Sequence, residues 1–271
     1  MKAISSTLQF RTFSFGFMLL LGFILLFGQV SCSSDSGNQD ASGLYKNGTA
    51  TLDPGVTDVM PSDLRGFVSS NRIIMFSIDE HLLFDGQITS ISGSDFNATV
   101  NLYESGDMTQ SGIGVTGIVT SRSSIIGTLN GTDVGKGTFS LPFDLLYDRG
   151  ATSARISTSS SPDWAGPVLM ITPGLATTTF GTFSSDTAYS SASTNSSTIT
   201  CAHNGTIAIP NSTVNIYSLQ ESISQGLNCD STLFASDYSG FAAVVDGVGT
   251  DDTLLYAVTN ATRSVFAVLT R

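Results

Sequence analysis

Side chains capable of chemistry are few in this chain of 271 residues. It contains three cysteines, Cys32, Cys201 and Cys229, and two histidines, His81 and His203. A thiol can be acylated, can pair with another thiol in an oxidising compartment, or can bind a metal as the thiolate. A histidine can act as a base near neutral pH. The sequence around each of these residues decides which chemistry is available to it.

The segment before Cys32 has the three parts of an export signal. Lys2 and Arg11 are its only charged residues, the run from Phe13 to Phe27 is nearly all apolar, and small residues stand near its end. The apolar run is shorter than the roughly 20 residues that a permanent transmembrane helix needs. Residues 1–31 are therefore predicted to be a cleaved signal peptide.

The residues at the cleavage position carry a resemblance. Val30-Ser31-Cys32 resembles the lipobox of bacterial lipoproteins, although Gln29 stands where that family usually has Leu. The resemblance implies a lipid on the Cys32 thiol and, because Ser33 rather than Asp follows, sorting to the outer membrane of a Gram-negative cell. Residues 32–43 are small and polar and read as a flexible tether. The alternative is an ordinary signal, or an uncleaved anchor helix, with Cys32 unmodified.

If Cys32 carries a lipid, one even pair of cysteines remains. An exported chain meets an oxidising compartment, and a metal site would need more thiolates or histidines than are present. We therefore predict a disulfide between Cys201 and Cys229. In the chain-entropy view, closing that loop would stabilise the fold by about 3–4 kcal/mol.

The charge of the chain restricts its partners. Without residues 1–31 it keeps nine of its 11 basic residues and all 22 acidic ones, a formal net charge of −13. This excess argues against nucleic acid and anionic lipid surfaces as partners. Asp246, Asp251 and Asp252 form a weak calcium candidate in "DGVGTDD", but the segment lacks the spacing of an EF-hand loop and reads first as a hairpin turn. No cofactor is predicted.

No pattern in the sequence indicates an enzyme. His81 and His203 both stand beside hairpin-turn signals and are interpreted as exposed turn residues. There is no G-x-S-x-G elbow, and serines are too numerous for a Ser/His/Asp set to be informative. The glycines from Gly112 to Gly117 spell G-x-G-x-x-G but precede a strand and turn instead of a helix. A hydrolase is the remaining minor alternative.

The elements that carry these residues read as strands throughout. Stretches rich in Val, Ile, Thr, Phe and Tyr alternate with Gly, Asn, Asp and Ser clusters about every ten residues. Dipeptides that favour tight hairpin turns occur at Asn47-Gly48, Asp85-Gly86, Asn130-Gly131, Asn204-Gly205 and Asp246-Gly247. After the signal helix we predict an all-β chain of antiparallel meanders.

An internal similarity suggests that the β region consists of two related units. Residues 82–103 resemble residues 199–217, and "GIVTSRSSIIGTLNG" and "GFAAVVDGVGTDDTLLYAV" follow in similar places. We expect β units at 44–150 and 151–271, built as related small barrels or sandwiches, with one continuous barrel as the alternative.

The second half also resembles a family of uncharacterised proteobacterial envelope lipoproteins. The features that carry the resemblance are "YDRG" (147–150), Cys201 before Asn204-Gly205, "VNIY" (214–217), Cys229, "YSGFAAV" (238–244) and "FAVLTR" (266–271). Thr200 stands where the family would have Gly. The resemblance implies a lipid-anchored β domain with one disulfide and no assigned activity.

These observations predict a non-enzymatic, lipid-anchored cell-envelope protein with a structural or binding role. The expected partners are the membrane, through the N-terminal lipid, and, as a candidate, another envelope protein. The alternative function is a carrier of a small apolar ligand in a barrel lumen. Four aromatic residues at the start of the second unit would then line a cavity instead of filling a core: Trp164, Phe180, Phe183 and Tyr189.

Overall fold

A computed structural model describes most of the chain from residue 38 onward. The described residues are 38–48, 60–133, 137–149, 151–152, 164–169, 176–180, 188–195, 198–208, 214, 216–225, 231–246 and 252–270. Between 151 and 200 only the backbone is described. The predicted signal peptide and Cys32 lie outside these ranges. The described residues contain no helix long and apolar enough to cross a bilayer.

The first eight strands form a closed antiparallel barrel in which each strand pairs with the next and β1 pairs with β8. They are β1 (Gly43–Asn47), β2 (Arg65–Val68), β3 (Arg72–Ser77), β4 (Leu82–Ser92), β5 (Asp95–Glu104), β6 (Asp107–Thr120), β7 (Ser124–Asp133) and β8 (Gly137–Tyr147). Side chains alternate between the two faces of each strand. The inward set is apolar and fills the barrel, with residues such as Tyr45, Ile73, Phe96, Val115 and Phe143.

A second sheet follows. It contains β9 (Ala151–Thr152), β10 (Trp164–Leu169), β11 (Ala176–Phe180), β12 (Ala188–Asn195), β13 (Thr198–Ala208), β14 (Tyr217–Gln225), β15 (Ala235–Asp246), β16 (Asp252–Thr259) and β17 (Ser264–Thr270), with a 3₁₀ turn at Ser231–Leu233. The strand order is β14-β13-β12-β11-β10-β17-β16-β15-β9, and β14 also pairs with β15. Because of this last pairing, the strands β10 to β17 form a closed ring in which each is paired on both sides. The predicted all-β, antiparallel fold is confirmed.

The internal similarity falls partly on equivalent strands. β4 and β13 are each the fourth strand of their set of eight, and β6–β7 and β15–β16 are each the sixth and seventh. The "VNIY" segment breaks the correspondence, because β14 begins only at Tyr217. Val214 and Ile216 pack instead in the apolar cluster between the barrel and the second sheet. The predicted domain boundaries at 44–150 and 151–271 stay predictions.

Three of the predicted hairpin dipeptides lie inside strands. Asp85-Gly86 is in β4, Asn130-Gly131 in β7 and Asn204-Gly205 in β13. At two of these dipeptides the glycine allows a neighbouring strand to approach closely and does not form a turn. A Cβ built on Gly86 would overlap the carbonyl oxygen of Thr99 on β5, and one on Gly131 would meet the ring of Phe139 on β8. Glycine inside a strand commonly marks such an approach.

We expect Gly86→Ala to destabilise the fold by about 1–3 kcal/mol, because the added methyl group forces two paired strands apart. The matched control is Gly114→Ala, where a Cβ would lie 3.7 Å from the Asn130 carbonyl oxygen, an ordinary contact. That change should be neutral or stabilise by about 0.4–1 kcal/mol. Urea unfolding of both variants measures the difference, and equal losses would contradict the close-approach explanation.

Candidate functional site

The cysteines are only partly visible in the structure. Cys201 lies in β13, is 1% exposed, and its sulfur is disulfide-bonded. Cys229 and Cys32 lie outside the described residues. The Cys201–Cys229 pairing and the lipid on Cys32 therefore stay predictions.

The calcium candidate lies where a hairpin was predicted. Asp246 ends β15, Asp252 begins β16, and the two are register partners. Asp251 lies outside the described residues. No group of three or more metal-binding side chains occurs in the part of the chain that the structure describes.

The two histidines have different surroundings. His81 is exposed in the β3–β4 turn with a φ of 56°, as predicted. The prediction for His203 is wrong: it lies in the middle of β13, is 1% exposed, and shares a hydrogen bond of 2.5 Å with Glu221, which is 2% exposed. The error follows from Asn204-Gly205, which continues the strand and places His203 on its inward face. A buried charged or polar pair of this kind satisfies its members mutually.

The last residues of the predicted tether, 38–42, are bonded to one end of the barrel. The Gln39 amide donates to the Gly93 carbonyl oxygen over 2.9 Å, and the Gly93 amide donates to Asn38 Oδ1 over 3.1 Å. The Ser121 amide donates to Gln39 Oε1 over 3.1 Å. Ala41 is buried and accepts a 2.8 Å hydrogen bond from the Tyr45 hydroxyl. This end of the barrel, called here the tether end, comprises the β2–β3, β4–β5 and β6–β7 turns.

The interior of the first barrel is filled by side chains. Eighteen buried residues form one apolar cluster there, and six partly buried ones pack against it. An open cleft of about 320 Å³ lies at the tether end, between residues 38–42 and residues 69–70 and 88–91. The carrier alternative required an open lumen, and the packed interior of this barrel argues against it.

The junction of the barrel with the second sheet combines an apolar cluster and a largely buried ion pair. Outward-facing residues of β1 to β5, including Phe67 and Phe76, pack on residues of the second sheet. The ring of Phe67 lies 6.1 Å from that of Phe241, and the ring of Phe76 lies 5.7 Å from that of Phe266. One face of the barrel is therefore buried by the rest of the chain.

Arg72 spans this junction. Its Nε and Nη2 donate to the two oxygens of Asp85 over 2.7 and 2.9 Å. Its Nη1 donates to Ser239 Oγ over 2.9 Å, and Nη2 also donates to Thr259 Oγ1 over 2.9 Å. The Thr259 hydroxyl in turn donates to Asp85 over 2.5 Å. A bidentate pair between an arginine and a carboxylate stabilises the contact and also fixes the relative orientation of the two side chains.

A second set of polar contacts joins the barrel to the second sheet around Asn260, the neighbour of Thr259. The Tyr103 hydroxyl donates to the Asn260 carbonyl oxygen over 2.8 Å, and Asp107 pairs with Arg263. The amide of Ser264 donates to the Gly106 carbonyl oxygen over 2.8 Å.

The outer face of β6 to β8 carries exposed apolar residues. Ile118 and Ile126 are register partners on β6 and β7 and are 55% and 53% exposed, and Leu146 on β8 is 37% exposed. Sequence reasoning missed this surface, because alternation alone does not say which outward residues the second sheet will cover. The signal available was an isoleucine at two outward positions of strands whose other outward residues are mostly Gly, Ser and Thr.

Comparison with known proteins gives little beyond the fold. The architecture is that of an all-β protein with an eight-stranded closed barrel and a second sheet. No known family and no curated protein matches the sequence. Among solved structures the chain is similar to isotype 1 transferrin binding protein B from serogroup B Neisseria meningitidis, with 9% identity and a TM-score of 0.27. The match covers 83% of this chain and 61% of that one. A similarity at this level assigns no function.

We expect Arg72→Ala to lower the free energy of unfolding by about 3–5 kcal/mol, because Asp85 is left as a buried charge without its cation. The double variant Arg72→Ala/Asp85→Ala should lose less than the sum of the two single variants. The control is Lys46→Ala, whose partner Asp148 is 3.3 Å away and whose side chain is 48% exposed; it should lose less than about 1 kcal/mol. Denaturant unfolding measures the three losses. A double variant that loses as much as the two single variants together would contradict this coupling.

We expect the free energy of unfolding to fall at alkaline pH, because three tyrosines ionise less readily in the folded chain than in the unfolded one. Burial raises the pKa of Tyr45, Tyr103 and Tyr238 above the usual value of about 10, and nearby acidic groups, Glu221 for Tyr238 among them, raise it further. The unfolded chain therefore releases these protons first, and stability should fall as pH rises past about 10. Urea unfolding across this range measures the slope, and Tyr45→Phe should make it shallower. A stability independent of pH above 10 would contradict the prediction.

Proposed function

We propose that the chain is an exported, lipid-anchored protein of the bacterial cell envelope, with a binding or structural role and no catalytic one. The sequence supports this through the export signal and the lipobox at Cys32. The observation that carries it further is the fastening of residues 38–42 to one end of the barrel. Six peptide units separate Cys32 from Asn38, so an anchor at Cys32 would hold that end within about 20 Å of the membrane.

The state of Cys201 supports export. Disulfides persist in oxidising compartments such as the periplasm and are rare in the cytosol. Cys201 is disulfide-bonded in the buried core of the second sheet. We propose Cys229 as its partner, which leaves Cys32 for the lipid.

The positions of the histidines support a role without catalysis. His203 is buried and bonded to Glu221, out of reach of a substrate, and His81 is an exposed turn residue. The packed interior of the first barrel supports binding at outer surfaces more than in the lumen of that barrel. An envelope protein is therefore a suitable class of partner.

The experiment that tests the proposal is expression of the chain and of Cys32→Ser in a Gram-negative host. The wild type should sediment with the outer membrane, and mass spectrometry should find acyl chains on Cys32 at the new N-terminus. Cys32→Ser should move to the soluble fraction, because the remaining chain lacks the anchor. Digestion without reductant should leave the Cys201 and Cys229 peptides linked.

A conservative control is Ser33→Asp, which keeps the thiol. The lipobox resemblance implies that this variant is still lipidated but stays in the inner membrane. A mature protein with a bare Cys32 thiol would overturn the proposal, and equal membrane association of wild type and Cys32→Ser would do the same.

A further inference from the structure

The outer face of the first barrel has an apolar patch that none of the described residues covers. Ile118 and Ile126 lie directly opposite each other, and Leu146 is the register partner of Ser124, two residues along β7. The neighbours Val119, Ile125 and Leu145 point inward and are buried. The patch is therefore an outward feature of the strands, separate from the core. We call Ile118, Ile126 and Leu146 the apolar patch.

The apolar patch lies at the tether end. Ile118 precedes the β6–β7 turn by two residues, and within that turn the Ser121 amide donates to Gln39 Oε1 over 3.1 Å. The amide of Val119 donates to the Ser94 carbonyl oxygen in the neighbouring β4–β5 turn over 2.8 Å. The patch thus borders the point where the chain arrives from Cys32.

Charges of both signs lie beside the apolar patch. Lys46, the register partner of Leu146, forms an ion pair with Asp148 over 3.3 Å. Arg122 is exposed in the β6–β7 turn, and Asp144 is the register partner of Ile126. This mixture of signs suits zwitterionic phospholipid headgroups, which also carry both.

We infer that the apolar patch rests on a phospholipid bilayer, with the isoleucines at the boundary of headgroups and acyl chains. The inference rests on the proposed lipid at Cys32, because a link of about 20 Å keeps the tether end close to the bilayer. Long basic side chains reach phosphate groups while their neighbours contact apolar surface. A second attachment of this kind adds to the hold of the acyl chains and fixes the orientation of the body.

The test uses the lipidated protein purified from envelopes and reconstituted in phosphatidylethanolamine/phosphatidylcholine vesicles that contain a photoactivatable diazirine phospholipid. Mass spectrometry locates the lipid adducts. The β6–β7 segment and Leu146 should carry several-fold more adducts than the β5–β6 turn at the opposite end of the barrel. The variant Ile118→Thr/Ile126→Thr should lose this excess, because threonine keeps the strand but removes apolar contact.

The matched control is Met108→Thr, which removes an apolar residue of 38% exposure at the opposite end. It should leave the adduct pattern unchanged. Equal labelling of the two ends in the wild type, or labelling mainly at the β5–β6 turn, overturns the inference while the lipid on Cys32 and the proposed function stand. A bare Cys32 thiol in the same preparation overturns both. Labelling of the patch that is unchanged in Ile118→Thr/Ile126→Thr also overturns the inference.

Discussion

The ion pair between Arg72 and Asp85 is the interaction on which the arrangement of the two sheets depends. An apolar interface alone tolerates sliding, because its contacts are not directional. Arg72 removes that freedom by donating to Asp85 on its own sheet and to Ser239 and Thr259 on the other. Each partner satisfies a group that would be costly to bury alone. We infer that the pair contributes more to the specificity of this junction than to its net stability.

The junction also explains the composition of the strands beneath it. β3 is buried at five of its six positions, since Ile73 and Met75 face the barrel interior while Ile74 and Phe76 face the second sheet. Such a strand loses the alternation of a half-exposed one. β6 keeps it better, because the described residues leave much of its outer side open to solvent. The two sides of one barrel therefore differ in sequence because only one is covered.

Much of the fold could be predicted from local sequence, because strand length, β-branched residues and turn clusters are local signals. The dipeptides misled where glycine makes room for a neighbouring strand instead of a turn. Gly86 admits a carbonyl oxygen and Gly131 an aromatic ring, and neither requirement shows in the adjacent residues. The misplacement of His203 followed from the same error. The Arg72 contacts could not be predicted, because Ser239 and Thr259 are 167 and 187 residues away in the chain.

The uncovered side of the barrel can be understood by comparison with the covered side. Outward positions that the second sheet covers hold large apolar residues. Outward positions that the described residues leave exposed are mainly Gly, Ser and Thr. Ile118 and Ile126 break that second pattern, and they do so as a facing pair next to the point where residues 38–42 reach the barrel. Single exposed apolar residues are ordinary on protein surfaces, and larger contiguous patches mark interaction sites. Ile118 and Ile126 add nothing to the closed core of the first barrel, so the role that we infer for them is a contact with a partner surface, the bilayer, and not a contribution to packing.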